Sequence, residues 1–162
     1  MLATGDVAPD FAFTLSTGSP RTLSSYRGRS VVLYFYPKAN TTGCTIETRG
    51  FSQRYDEFLR AGMEVIGVSV DPSETQKAFA DRCGSRFPLV ADDSKEIAKK
   101  YGVLGLLGWA KRVTFLIDPE GRIREVVEGM LPAPHLRAAE RWLATRTSSG
   151  PTSPSAPARR SE

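Results

Sequence analysis

Apolar positions follow two rhythms along this chain. Ser30–Tyr36 (SVVLYFY) and Met63–Val70 (MEVIGVSV) are short, nearly continuous runs rich in β-branched and aromatic residues. That pattern suits strands covered on both faces. Between them, Ile46, Phe51, Tyr55, Phe58 and Leu59 recur at an approximate helical period, predicting one helix from near Cys44 to about Arg60, stopped by Gly62. Asp71-Pro72-Ser73 opens a second helix that ends at Gly84, and Asp93–Tyr101 reads as a short one. Phe87–Ala91 is a short third strand. Arg112–Ile117 and Arg122–Val127 flank the turn Asp118-Pro119-Glu120-Gly121 and predict a β-hairpin. Pro134–Arg146 closes the pattern as an amphipathic helix with Leu136, Ala139, Trp142 and Leu143 on one face.

The order is β-α-β, then α and β, then a hairpin and a helix. This predicts an α/β fold with a central mixed sheet flanked by helices. A thioredoxin-like core has this order, and other α/β folds share part of it. The first 28 residues read as an N-terminal extension with a small β-hairpin around Phe11–Leu15 and Arg21–Leu23. From Thr147 to Glu162 the chain is Ser, Pro, Ala, Thr and Arg without apolar periodicity. Such a segment cannot offset its ordering entropy and is expected to be disordered, leaving residues 1–146 as one domain.

Composition narrows the function. The 162 residues suit one domain, with a net charge of +4. Basic and acidic residues are interspersed and form no dense basic stripe, so no nucleic-acid partner is expected. No run approaches the roughly 18 apolar residues that suggest a membrane span. The N-terminus lacks the charged and apolar regions of a secretory signal, so a cytoplasmic location is expected. In that compartment the two cysteines, Cys44 and Cys83, read as buried, catalytic or redox-active thiols rather than a permanent bridge. His135 is the single histidine, and no cluster has metal-ligand spacing, so no metal is expected.

The chemistry concentrates in Pro37–Glu47 (PKANTTGCTIE), after a buried strand and at the start of a helix. A cysteine there meets unpaired backbone N–H groups and the positive end of the helix dipole. Both favour the nucleophilic thiolate. Thr41 can turn its hydroxyl toward the sulfur, Gly43 allows close backbone approach, and Pro37 supplies an apolar wall. Arg112 begins a strand that would neighbour the one ending at Pro37 in a thioredoxin-like sheet. Its guanidinium can then hold the thiolate and polarise an O–O bond. Glu47, one turn after Cys44, can orient that arginine. Each has a plainer reading: Thr41 as a helix cap, Arg112 as a solvated strand-end charge, Glu47 as an acidic first-turn residue. His135 reads as a surface residue. Gly102–Trp109 (GVLGLLGW) is an apolar loop that either shapes a hydrophobic pocket, with Trp109 as a wall, or fills the core.

Pro37-x-x-x-Thr41-x-x-Cys44 resembles the active-site motif of peroxiredoxins. Tyr34–Cys44, Gly43–Glu47, Phe87–Asp92 and Thr114–Asp118 are similar to the bacterioferritin-comigratory-protein, or peroxiredoxin Q, subfamily, over about residues 4–145. The resemblance implies a thioredoxin-like fold and a thiol peroxidase without metal, flavin or other cofactor. Its substrates would be hydrogen peroxide and organic hydroperoxides, its reductant thioredoxin or a similar dithiol, and its state a monomer. It also implies roles: Cys44 as the peroxidatic cysteine, Thr41 as its hydroxyl partner, Pro37 as shield and Arg112 as charge stabiliser. The chain departs from the subfamily in its resolving cysteine. Arg49 stands five residues after Cys44, where the common pattern has one, and Ala80 stands at a second known position. Cys83 lies three residues after Ala80, on the same face of a helix. It is either a displaced resolving cysteine or a core residue in the stripe Gln76, Phe79, Ala80 and Cys83. Two other functions compete: a thiol-disulfide oxidoreductase, which wants a second cysteine where Glu47 stands, and a non-catalytic thioredoxin-like binding module, which would have lost the Thr41, Cys44 and Arg112 set.

Overall fold

A computed structural model of the chain describes the backbone of residues 1–149 and the side chains of residues 1–146. Ala12–Thr14 (β1) and Pro20–Thr22 (β2) pair as a small antiparallel hairpin, followed by a 3₁₀ turn at Leu23–Tyr26. The main sheet contains Ser30–Phe35 (β3), Met63–Ser69 (β4), Leu89–Ala91 (β5), Val113–Ile117 (β6) and Ile123–Glu128 (β7), in the order β5-β4-β3-β6-β7. β4 runs parallel to β3 and to β5, whereas β6 runs antiparallel to β3 and to β7. The sheet is mixed, as expected.

Every residue of β3 is buried because both faces of the sheet are covered. Alternation along the strand divides the core in two. Val31, Leu33 and Phe35 join a cluster with Phe11, Phe13, Ile97 and Tyr101, under the N-terminal hairpin and Glu96–Tyr101 (α4). Val32, Tyr34 and Tyr36 face the other cluster. That second layer is built by Thr42–Gln53 (α1), Tyr55–Arg60 (α2), Ser73–Cys83 (α3) and Pro132–Ser149 (α5). The site lies on this second face.

The single helix expected from Cys44 to Arg60 is two. Arg54 interrupts it with φ −108° and ψ 9°. Phe51, Tyr55 and Phe58 are buried, but Ile46 is 51% exposed, contrary to the expected core position, because the buried face of α1 is Cys44, Glu47, Thr48 and Phe51 and Ile46 lies roughly 140° around the helix from Phe51. Ile46 borders an open groove between α1 and α5 with Gly50 and Leu136. A side chain at Gly50 would meet Leu136 at 2.8 Å, so glycine there sets how closely the two helices approach. Gly84 caps α3 in the left-handed region at φ 67°, the stop read from sequence. The Asp118–Gly121 turn is held by Asp118 Oδ1, which accepts from the N–H groups of Glu120 and Arg122. α5 starts at Pro132 and continues to Ser149. The tail expected from Thr147 otherwise lies outside the described residues.

Phe51 packs on Tyr34 with ring centroids 4.7 Å apart and on Phe58 at 6.2 Å, so it ties α1 to both β3 and α2. Phe51→Ala is expected to destabilise the reduced protein by about 3–5 kcal/mol in urea unfolding, the usual cost of an aromatic truncated in a packed core.

Candidate active site

Antiparallel pairing of β3 with β6 decides the site. Phe35, near the end of one strand, is opposite Val113 at the start of the other. The residue before Val113 is Arg112, and the chain after Phe35 leads through Pro37 into the loop before α1. Arg112 and Cys44, 68 residues apart, therefore meet: Arg112 Nη2 donates to Cys44 Sγ at 3.3 Å. Cys44 is the third residue of α1, with Thr41 at the cap position. Its N–H is among the first-turn groups that lack a helical partner, and these orient positive charge toward the sulfur. Cys44 is 0% exposed.

The guanidinium is anchored on three sides. Nη1 donates to Glu47 Oε1, Nε donates to the Met130 carbonyl at 2.7 Å, and Nη2 reaches the sulfur. Burial lowers the pKa of Arg112, but Glu47 and Cys44 together outweigh it, so the group is held as a cation. Gly43 makes room for it. A Cβ at residue 43 would lie 2.8 Å from Arg112 Nη2. The close approach that Gly43 permits is thus to the guanidinium.

The loop is fixed from below. Asp71 Oδ2 accepts from the Ala39 N–H and from the Ser69 hydroxyl, each at 2.7 Å. Asn40 takes a left-handed φ of 68°, which asparagine tolerates better than most residues. Thr41 is exposed, and its hydroxyl donates to the Lys38 carbonyl at 2.8 Å rather than turning to Cys44. Pro37 is half-buried at the strand end. Trp109 stacks on Lys38 Nζ, 5.2 Å from the ring centroid. Of its loop, Val103 is buried, while Leu106 and Leu107 project into solvent.

His135 is not a surface residue. It is 0% exposed; Nδ1 pairs with the Thr114 hydroxyl at 2.8 Å, and Nε2 with the Gly129 carbonyl at 2.9 Å. It lies 3.9 Å from Glu47 Oε2. The signal for its burial was helical spacing: His135, Ala138, Ala139 and Leu143 share one face of α5, and all are buried. Asp71 carries no sequence mark of its part in the site, because Asp-Pro before a helix reads equally well as a simple helix start.

Cys83 is the last residue of α3 and buried in the same apolar cluster as Cys44; both thiols are free. Burial raises its pKa, opposed by a hydrogen bond from Arg49 and the charges of Arg49 and Arg82. Arg49 Nη2 also donates to the Arg82 carbonyl at 3.3 Å. The residue at the common resolving position thus reaches over to the helix end that carries the second cysteine.

The AhpC/TSA family matches residues 4–126. The chain belongs to the AhpC/TSA family. Peroxiredoxin Bcp of Escherichia coli K12 is 33% identical over 149 residues, covering 88% of this chain and 96% of that protein. The crystal structure of peroxidoxin BcpB from Mycobacterium tuberculosis superposes with a TM-score of 0.79 at 36% identity, covering 91% of this chain and 98% of the other. That of the Xanthomonas campestris bacterioferritin comigratory protein, described for its alkyl peroxide reduction activity, gives 0.75 at 32% identity, covering 85% and 90%. This peroxiredoxin has the thioredoxin-like fold and is a thiol-dependent peroxidase of the Bcp/peroxiredoxin Q group, using a peroxide and a thiol reductant. No helix among its described residues is long and apolar enough to cross a membrane.

Gly43→Ala should displace the guanidinium from the sulfur while leaving the core intact. Stopped-flow measurement is expected to show the second-order rate with hydrogen peroxide reduced about 10²-fold, the scale of an ångström-size misplacement, with thermal stability little changed.

Proposed function

We propose that Cys44 attacks the terminal oxygen of hydrogen peroxide or an organic hydroperoxide, becoming a sulfenic acid. The observation carrying this reading is the 3.3 Å contact between its sulfur and Arg112 at the first turn of α1. The guanidinium stabilises the thiolate and then the negative charge that develops as the O–O bond breaks. Glu47 and the Met130 carbonyl hold it in place, Pro37 shields the sulfur, and Thr41 swings from the Lys38 carbonyl to bind the peroxide. Substrate reaches the buried sulfur by displacing the Thr41–Gly43 turn, while the exposed Met130–Leu131 segment stays seated on Arg112. The apolar side chains of that segment suit an alkyl tail, in keeping with the alkyl peroxide activity described for the Xanthomonas relative.

Cys83 is the resolving thiol in this proposal. It ends α3 next to a left-handed glycine, where opening the last turn costs little. Opening would release it to attack the sulfenic acid, leaving a transient disulfide that a thioredoxin-type dithiol reduces. The enzyme then works as a cytoplasmic monomer.

Cys44→Ser is expected to abolish peroxide-dependent oxidation of a thioredoxin-type reductant while the circular dichroism stays native. Activity retained in that variant would remove Cys44 from the mechanism. After one equivalent of peroxide, the wild type should lose the mass of two hydrogen atoms and show no free thiol, whereas Cys83→Ser should hold a sulfenic acid that a dimedone probe captures. A sulfenic or sulfinic acid accumulating in the wild type would show that the thiol resolving Cys44 comes from another molecule.

A further inference from the structure

Glu47 brings a second potential anion to the guanidinium that serves Cys44. Both residues are fully buried and both bond to Arg112. Glu47 Oε1 receives the Nη1 proton, but Oε2 is buried without a hydrogen-bond partner. The polar group facing it from α5 is His135 Nδ1, 3.9 Å away. A carbonyl only accepts, so the Gly129 contact requires the ring proton on Nε2. Burial first, then the Arg112 charge, lowers the pKa of the imidazole against the Gly129 bond, and it stays neutral near pH 7. Nδ1 therefore presents a lone pair, which the Thr114 hydroxyl occupies.

An ionised Glu47 would have one oxygen buried with no donor to pair it, since the imidazole nitrogen nearest to it carries no proton. A neutral carboxyl leaves no unpaired charge buried there. The remaining titratable groups give an ionised Glu47 no help. Tyr34, from β3, is held neutral by burial, and Cys44, from the same helix, adds negative charge when ionised. Burial raises the Glu47 pKa to about 8, further than Arg112 pulls it back.

We propose that Arg112 carries one anion at a time, the Cys44 thiolate before oxidation and the Glu47 carboxylate after it, so that Glu47 supplies the proton taken by the leaving oxygen. This rests on the peroxidase reading of Cys44. In the step, a sulfur lone pair forms the S–O bond to the terminal oxygen and the O–O bond breaks, its pair leaving on the oxygen bonded to R. The sulfur is oxidised by two electrons and the peroxide reduced by two. The thiolate, the Glu47 acid and ROOH become the sulfenic acid, the Glu47 carboxylate and ROH, so atoms and charge balance without a proton from solvent. When the reductant restores the thiolate, Glu47 takes a proton back.

The test is a proton count in a single turnover at neutral pH. Reduced wild type and Glu47→Gln are mixed with one equivalent of hydrogen peroxide in weak buffer with an indicator dye. The variant is expected to take up one proton more per oxidised Cys44 than the wild type, since it has none to give. Equal counts in the two proteins would overturn the proposal. Infrared difference spectra of the wild type alone supply a second readout that needs no variant. A carboxylic-acid carbonyl band should disappear on oxidation as carboxylate bands grow, and an unchanged carboxyl region would overturn the proposal as well. Failure of Cys44 to oxidise at all would instead sink the peroxidase reading.

Discussion

A guanidinium buried against a sulfur is the interaction on which this molecule turns. Desolvating Arg112 is costly unless its donors are filled, and a cation out of water needs an anion beside it. The fold meets both demands with groups from separate parts of the chain: Cys44 and Glu47 from one turn of α1, and the Met130 carbonyl from the segment after β7. Because those partners also position the arginine, its charge needs little reorganisation when peroxide arrives. Electrostatic preorganisation of this kind is commonly the largest part of catalysis.

The sheet makes that arrangement possible. A parallel β6 would place its first residue at the opposite end of the strands, away from the loop before α1. Antiparallel pairing places Val113 beside Phe35, and Arg112 and Pro37 emerge at the same end. The aromatic stack of Tyr34, Phe51 and Phe58 seats α1 on the sheet, and Asp71 ties down the loop before it. A small glycine at residue 43 then decides whether the guanidinium reaches the sulfur. Stability and chemistry thus draw on the same helix, which leaves little room for α1 to shift without loss of both.

The strands, the helix ends at Gly62 and Gly84, and the Asp118–Gly121 hairpin were legible because each has a local cause: continuous apolar runs, left-handed glycines, an aspartate-anchored turn. The break at Arg54 was not legible, since no glycine or proline marks it in the sequence. Ile46 is exposed for a different reason: its spacing from Phe51 puts it on the other side of α1. From the sequence alone His135 reads as a surface residue, because it follows a proline near a helix start. Its burial depends on a partner at Thr114, which is 21 residues away, and on the carbonyl of Gly129.

The order of residues alone determined the α/β class, the strand-loop-helix setting of Cys44 and the place of Glu47 one turn after it, because those depend on periodicity and on groups close in the chain; Thr41, Pro37 and Arg112 became candidates through the resemblance to the peroxiredoxin motif. Tertiary structure alone decided that Arg112 touches both Cys44 and Glu47, that the Thr41 hydroxyl rests on Lys38, and that His135 closes the back of the site. Contacts between side chains far apart in sequence are set by strand direction and helix packing, and no local pattern encodes either one.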